Sequence, residues 1–127
     1  MNSKHRFFLC SVCGNMIGLI KDEGPAMVCC GEEMTELVPN STGASEEKHM
    51  PAVTGSGDSI SVQVGSAAHP MEEGHHIEFV FVETTRGGQR KRLTVGGAPT
   101  AAFLFSDDKP VAVYAFCNLH GLWKVEV

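Results

Sequence analysis

A chain of 127 residues, 43% hydrophobic and with a formal charge of −5, has room for one ordinary domain or two small ones. The negative balance argues against a general nucleic-acid binder, which needs basic surface to displace counterions. No apolar run approaches the ~20 residues that span a bilayer, and the N-terminal run Phe7 to Cys10 is shorter than the roughly 7–15-residue core of a signal peptide. These readings predict a cytoplasmic protein with neither a nucleic-acid nor a membrane partner.

Residues 1–37 are Gly-containing and cysteine-rich, with no helical apolar period. Such a segment buries too little to fold on its own core and calls for a staple such as a metal. Cys10 and Cys13 form a C-x2-C pair, and after fifteen residues Cys29 and Cys30 follow. In a reducing compartment four thiolates so spaced suit tetrahedral iron or zinc rather than disulfides. Neighbouring side chains diverge, so Cys29 and Cys30 can share one ion only through a tight turn. Gly14 and Gly31 each follow a cysteine pair, where a glycine lets backbone amides approach the sulfurs. Residues 38–46 (VPNSTGASE) read as a linker.

From residue 47 onward the pattern is all-β. Ile60, Val62 and Val64 alternate with Ser61 and Gln63, and Ile77, Phe79 and Phe81 alternate with Glu78 and Val80. Ala101 to Phe105 and Val111 to Phe116 are further short apolar runs, with Gly- and Asp-rich turns between. About seven short strands at this spacing predict an immunoglobulin-like or Greek-key β-sandwich with no long helix.

Apart from His5, which reads as a solvated surface residue, the histidines fall into three segments: E-K-H-M-P at 47–51, H-P-M-E-E-G-H-H at 69–76, and C-N-L-H-G at 117–121. His69 and His75 share one loop, and Cys117 with His120 forms a C-x2-H chelate. Imidazoles with one thiolate point to a mononuclear site for iron, copper, nickel or zinc. His75 and His76 are adjacent and would point to opposite sides of an extended chain, so one ligand is expected from the pair.

Taken together, C-S-V-C-G-N, C-C-G-E-E-M, E-K-H-M-P, H-P-M-E-E-G-H and C-N-L-H-G-L-W-K resemble the desulfoferrodoxin family of superoxide reductases over residues 7–37 and 46–127. The resemblance implies a mainly β protein: a desulforedoxin-like domain at 1–37, a linker at 38–46 and an immunoglobulin-like catalytic domain at 47–127. It implies two irons per chain, one on Cys10, Cys13, Cys29 and Cys30. The other would have His49, His69, His75 and His120 as equatorial ligands and Cys117 as the axial thiolate. Glu47 and Lys48 would be the functional pair beside the open coordination position.

The implied reaction is one-electron reduction of superoxide to hydrogen peroxide, with re-reduction by a donor such as rubredoxin, in a homodimer. Superoxide dismutation and simple electron transfer are the rival activities. Gly74 stands where relatives often have Lys, and His76 where an aromatic residue is common.

Overall fold

The computed structural model describes residues 5–55 and 57–127, which divide into two compact units with the boundary in sequence between Val38 and Pro39. In the first unit β1 (Phe7–Leu9) pairs antiparallel with β2 (Met16–Gly18) and with β5 (Thr35–Glu36). β3 (Val28–Cys29) and β4 (Glu32–Glu33) form a separate hairpin. Among the described residues of this unit only Phe7, Phe8 and Cys10 are buried. Arg6 grips Glu36 side-on at 2.8 and 2.9 Å and also reaches Asp22. These ion pairs are largely exposed and add little. With so small a core, the unit depends on its cysteine cluster.

The second unit opens with α1 (Glu46–His49) and continues through seven strands: β6 (Pro51–Thr54), β7 (Ser59–Val64), β8 (Ile77–Thr84), β9 (Gly87–Arg92), β10 (Thr100–Leu104), β11 (Pro110–Cys117) and β12 (Gly121–Glu126). They form two antiparallel sheets, ordered β10-β7-β6 and β12-β11-β8-β9. This is an immunoglobulin-like sandwich of three strands on four. Ile60, Val62, Val64 and Phe103 face Ile77, Val80, Val82, Val113, Ala115 and Cys117 across the core. Each such side chain, buried, stabilises by roughly 1.5–3 kcal/mol.

β7 alternates as its sequence dictates, but β8 does not. Phe79 pairs with Phe116 and Ile77 with Cys117, so the register skips Glu78 in a β-bulge. The extra residue turns Ile77 to the core side with Val80 and Val82. Phe79 and Phe81 belong to the opposite face, so the three apolar residues expected on one face are split between two.

Among the elements that the sequence reading did not locate are α1 and β9. α1 is a single turn, closed by the Met50 amide on the Glu46 carbonyl at 2.9 Å, too short to show a helical period. β9 is exposed and strongly charged, hence silent to hydrophobic patterning. Its Gln89 and Lys91 side chains donate to the carbonyls of Leu104 and Ala102 along the edge of β10. In segment 38–46, Asn40 exchanges side-chain hydrogen bonds of 3.0 and 2.9 Å with the Lys124 backbone, and its amide donates to Leu122 at 2.9 Å. A short polar stretch thereby covers part of the β12 edge.

Gly65 holds the turn after β7 against α1. Its φ is +85°, and an added Cβ would collide with the carbonyl oxygens of Ala67 and Lys48. Only glycine fits a backbone that close to the residue preceding His49. Gly65→Ala is expected to destabilise the second unit by about 1–3 kcal/mol and to lower metal occupancy at His49. Denaturant midpoints and metal analysis check this; wild-type values in both would remove the assigned role.

Candidate metal centres

The first cluster is built from two tight turns. After β1 the chain turns back through Ser11 to Cys13, closed by the Gly14 amide on the Cys10 carbonyl at 3.0 Å. The β3–β4 hairpin turns on Cys30 and Gly31, with φ of +55° and +77°. Positive φ at both central residues is what a type I′ hairpin requires, and it brings adjacent Cys29 and Cys30 to one point. All four sulfurs lie within 4.8 Å of one another. Cys13 and Cys29 sulfurs are 3.7 Å apart and those of Cys29 and Cys30 3.9 Å, far beyond a disulfide bond.

Cys10 is held down to about 6 by the backbone amides of Cys13 and then Val12. Cys30 is pushed up to about 12, first by its thiol contact with Cys13 and then by Cys29. Without a cation the cluster therefore favours a thiolate at Cys10 and protons on Cys29 and Cys30. A metal ion reverses that balance by replacing the shared protons.

The second cluster gathers residues from three segments at one end of the sandwich. His49 ends α1, His69 and His75 lie between β7 and β8, and Cys117 ends β11. One ligating atom from each of His49, His69, His75 and Cys117 falls within 4.8 Å of the others. His120 completes the group, its Nδ1 lying 3.1 Å from His49 Nε2 and 3.8 Å from Cys117 Sγ.

The four rings form a square. Successive centroids His49–His69, His69–His75, His75–His120 and His120–His49 are 4.7, 4.6, 5.0 and 4.9 Å apart, with interplanar angles of 71–84°. The His49–His75 diagonal is 6.4 Å.

Backbone carbonyls select which nitrogen faces inward. His49 Nδ1 donates to Ser45 O at 2.6 Å and His69 Nδ1 to Pro70 O at 2.7 Å. Each leaves Nε2 as the inward lone pair. His120 is fixed through its carbonyl, which accepts from Thr42 Oγ1 at 2.8 Å and Trp123 Nε1 at 3.1 Å. The Trp123 ring also stacks on His49 at 5.1 Å.

The donor set fits a metal on one decisive observation: His69 Nε2 and His75 Nε2 are buried with no hydrogen-bond partner. Buried polar atoms are rarely left so, and a cation accepting both lone pairs accounts for them. Burial is also the first cause holding His49 below its ordinary range and His69 down to about 4, so both are neutral and ready to ligate.

Comparison with known proteins agrees with both clusters. The desulfoferrodoxin family matches residues 41–126, and the desulfoferrodoxin N-terminal domain matches residues 3–37. The chain belongs to the desulfoferrodoxin family. It is 38% identical over 126 residues to desulfoferrodoxins of Syntrophotalea carbinolica and Nitratidesulfovibrio vulgaris, covering 99% of each chain in both cases. The crystal structure of the superoxide reductase from Treponema pallidum is similar at 35% identity and a TM-score of 0.81, covering 98% of this chain and 100% of that one. The four-cysteine set and the set of four histidines and one cysteine are those of desulfoferrodoxin iron centres, giving two irons per chain.

Glu47 and Lys48 sit on α1 beside His49, both exposed. His76 stands outside the square, its Nδ1 donating to Glu72 O at 2.9 Å. His5 is half-buried against Phe7, with ring centroids 4.8 Å apart, rather than solvated. The sequence reading missed Thr42, Asn118 and the Ser45 and Pro70 carbonyls; each acts through one hydrogen bond or a few, which no residue pattern signals.

The depressed His69 gives a pH dependence of definite sign. The unfolded chain takes up a proton near 6.5, the folded chain only near 4. Stability of the metal-free protein is therefore unaffected by this group above about 6.5 and falls as pH drops from there toward 4. One proton accounts for at most about 1.4 kcal/mol per pH unit. Thermal unfolding of metal-free wild type and His69→Gln across this range should show a shallower slope in the variant; equal slopes would contradict the account.

Proposed function

We propose that this protein is a superoxide reductase. It would catalyse O2•− + e− + 2H+ → H2O2, the electron coming from an external donor such as rubredoxin. The observation that carries the reading is the square of four imidazoles with a single buried thiolate. In this reading His49, His69, His75, His120 and Cys117 hold the catalytic iron, and Cys10, Cys13, Cys29 and Cys30 hold the second. The four-cysteine domain is assigned to residues 1–37, the linker to 38–46 and the catalytic domain to 47–127. A cytoplasmic homodimer is part of the same proposal, and the T. pallidum superoxide reductase supports its activity.

When bound, the catalytic iron supplies the one-electron step. The chain's own residues set its conditions. Cys117 is fully buried and its sulfur accepts the His120 amide at 3.4 Å, which stabilises a thiolate in an apolar surround. His69 and His75 keep their inward nitrogens free of protein donors. Glu47 offers a carboxylate on α1 two residues before His49 and would be available to a bound iron as a further ligand. Lys48 supplies positive charge on a protein that is negative overall.

The assay that tests this follows superoxide loss, peroxide formation and donor oxidation together. A reductase oxidises one donor electron per superoxide consumed and forms one peroxide. Evolution of oxygen with the donor left reduced would establish dismutation instead, and slow superoxide loss with fast donor exchange would establish electron transfer.

Lys48 has its own test. A unit charge about 6 Å from an approaching anion is worth roughly 0.7 kcal/mol at water's dielectric and about 3 at an effective value near 20. Lys48→Ala should slow the second-order reaction with superoxide several-fold or more and flatten its ionic-strength dependence. Pulse radiolysis over a salt series measures both; an unchanged rate and slope would make Lys48 an ordinary surface residue.

A further inference from the structure

Two of the catalytic ligands sit at the frayed end of one strand pair. β8 and β11 run together until Ile77 meets Cys117, and there the register is already broken by the bulge. Beyond that point His75 and His120 lie on segments with no further ladder pairing between them. Leu119, the residue before His120, is 60% exposed and cannot anchor its loop by burial.

Asn118 fills the gap. Its backbone amide donates to the His76 carbonyl at 3.1 Å. Its side-chain Oδ1 accepts the His76 amide at 2.8 Å, and its Nδ2 donates to the Gly74 carbonyl at 3.0 Å. The amide orientation follows from the partners, since one is an obligate donor and the other an obligate acceptor. These bonds bracket His75 on both sides in sequence. The bracketed segment is itself closed by the Glu72–His75 pair, with reciprocal bonds of 3.0 and 3.1 Å.

We propose that Asn118 is a positioning residue that locks the His75 loop onto the Cys117–His120 loop, so that the His75–His120 edge of the square and its relation to the Cys117 sulfur are fixed before metal enters. This rests on the ligand assignment made above. The clamp acts through backbone on either side of His75 and touches neither ligating atom. Its side chain replaces two ladder bonds that the bulge and the strand end remove. Without it the His75 loop keeps its internal turn but loses its registry to Cys117, and His75 Nε2 is free to swing toward water.

The test compares wild type, Asn118→Ala and Asn118→Asp, isolated with iron. In Asn118→Ala, excess EDTA should remove the catalytic iron about ten- to hundred-fold faster, the range typical of lost outer partners of metal ligands. Its thiolate-to-iron absorption should shift, while the bands of the four-cysteine centre stay unchanged as an internal control. The rise in melting temperature produced by catalytic-site iron should shrink. Asn118→Asp keeps the acceptor for the His76 amide and loses the donor to Gly74, so its iron loss should fall between the other two. Should the alanine variant fail to fold, the aspartate variant carries the test by the same readouts. Wild-type release rate and absorption in either folded variant overturn the proposal, as does a melting loss of equal size with and without iron, which marks a general stability role. If wild type itself shows no absorption that Cys117→Ser removes, the ligand assignment falls first, and the clamp with it.

Discussion

Five donors must converge at one end of a sandwich before any metal arrives, and the protein has to hold them there against their preference for water. A buried nitrogen without a partner costs about 1–3 kcal/mol, and this site contains two, on His69 and His75. The surrounding structure is arranged to sustain that cost. The Ser45 and Pro70 carbonyls occupy the outer nitrogens of His49 and His69, Trp123 stacks on His49, and Thr42 with Trp123 fixes the His120 carbonyl. The sandwich core of valine, isoleucine and phenylalanine supplies the stability from which this local deficit is drawn.

The two clusters solve the same problem in opposite ways. In the second unit a conventional apolar core exists first, and the ligands are mounted on its ends. In the first unit the described residues offer Phe7, Phe8 and Cys10 as buried side chains, so the sulfurs take the place of a core. The exposures differ accordingly. Cys13 and Cys30 are open to solvent, whereas Cys117 is fully buried. The exposed sulfurs are reachable from solvent, whereas the buried Cys117 is shielded from oxidants and competing metals.

Much of this could be read from residue types alone, because cysteine and histidine spacing is dense with chemical constraint. The alternation of Ile60, Val62 and Val64 placed β7 in the same way. What escaped the sequence was whatever depends on one residue of register or one hydrogen bond. The bulge at Glu78 looks in sequence like an unbroken alternation, yet it moves Ile77 to the other face. β9 carries Arg90, Lys91 and Arg92 and lacks any apolar period, because its pairing is to β8 and its outer side chains need no burial. Asn40 and Thr42 lie in a stretch whose composition says loop, and only the fold shows them bonded to β12 and to His120. His5 read as solvated because nothing local tells a histidine that Phe7 will lie against it.

The bulge has a chemical consequence as well as a structural one. Ile77, turned by the bulge, joins Cys117 on the core side, which Cys117 reaches by following Val113 and Ala115 along β11. The Ile77 amide, displaced from the ladder, is not left bare; it donates to the Met71 sulfur at 3.4 Å within the same buried region. The ring square is therefore unevenly buried. His49, His69 and Cys117 are buried, whereas His75 and His120 are half-buried, and Glu47 and Lys48 stand exposed on α1. Iron held by these ligands would receive electron density from the Cys117 sulfur on the buried side. The asymmetry needs no lid, since it is set by which face of β11 the last residue of the strand occupies.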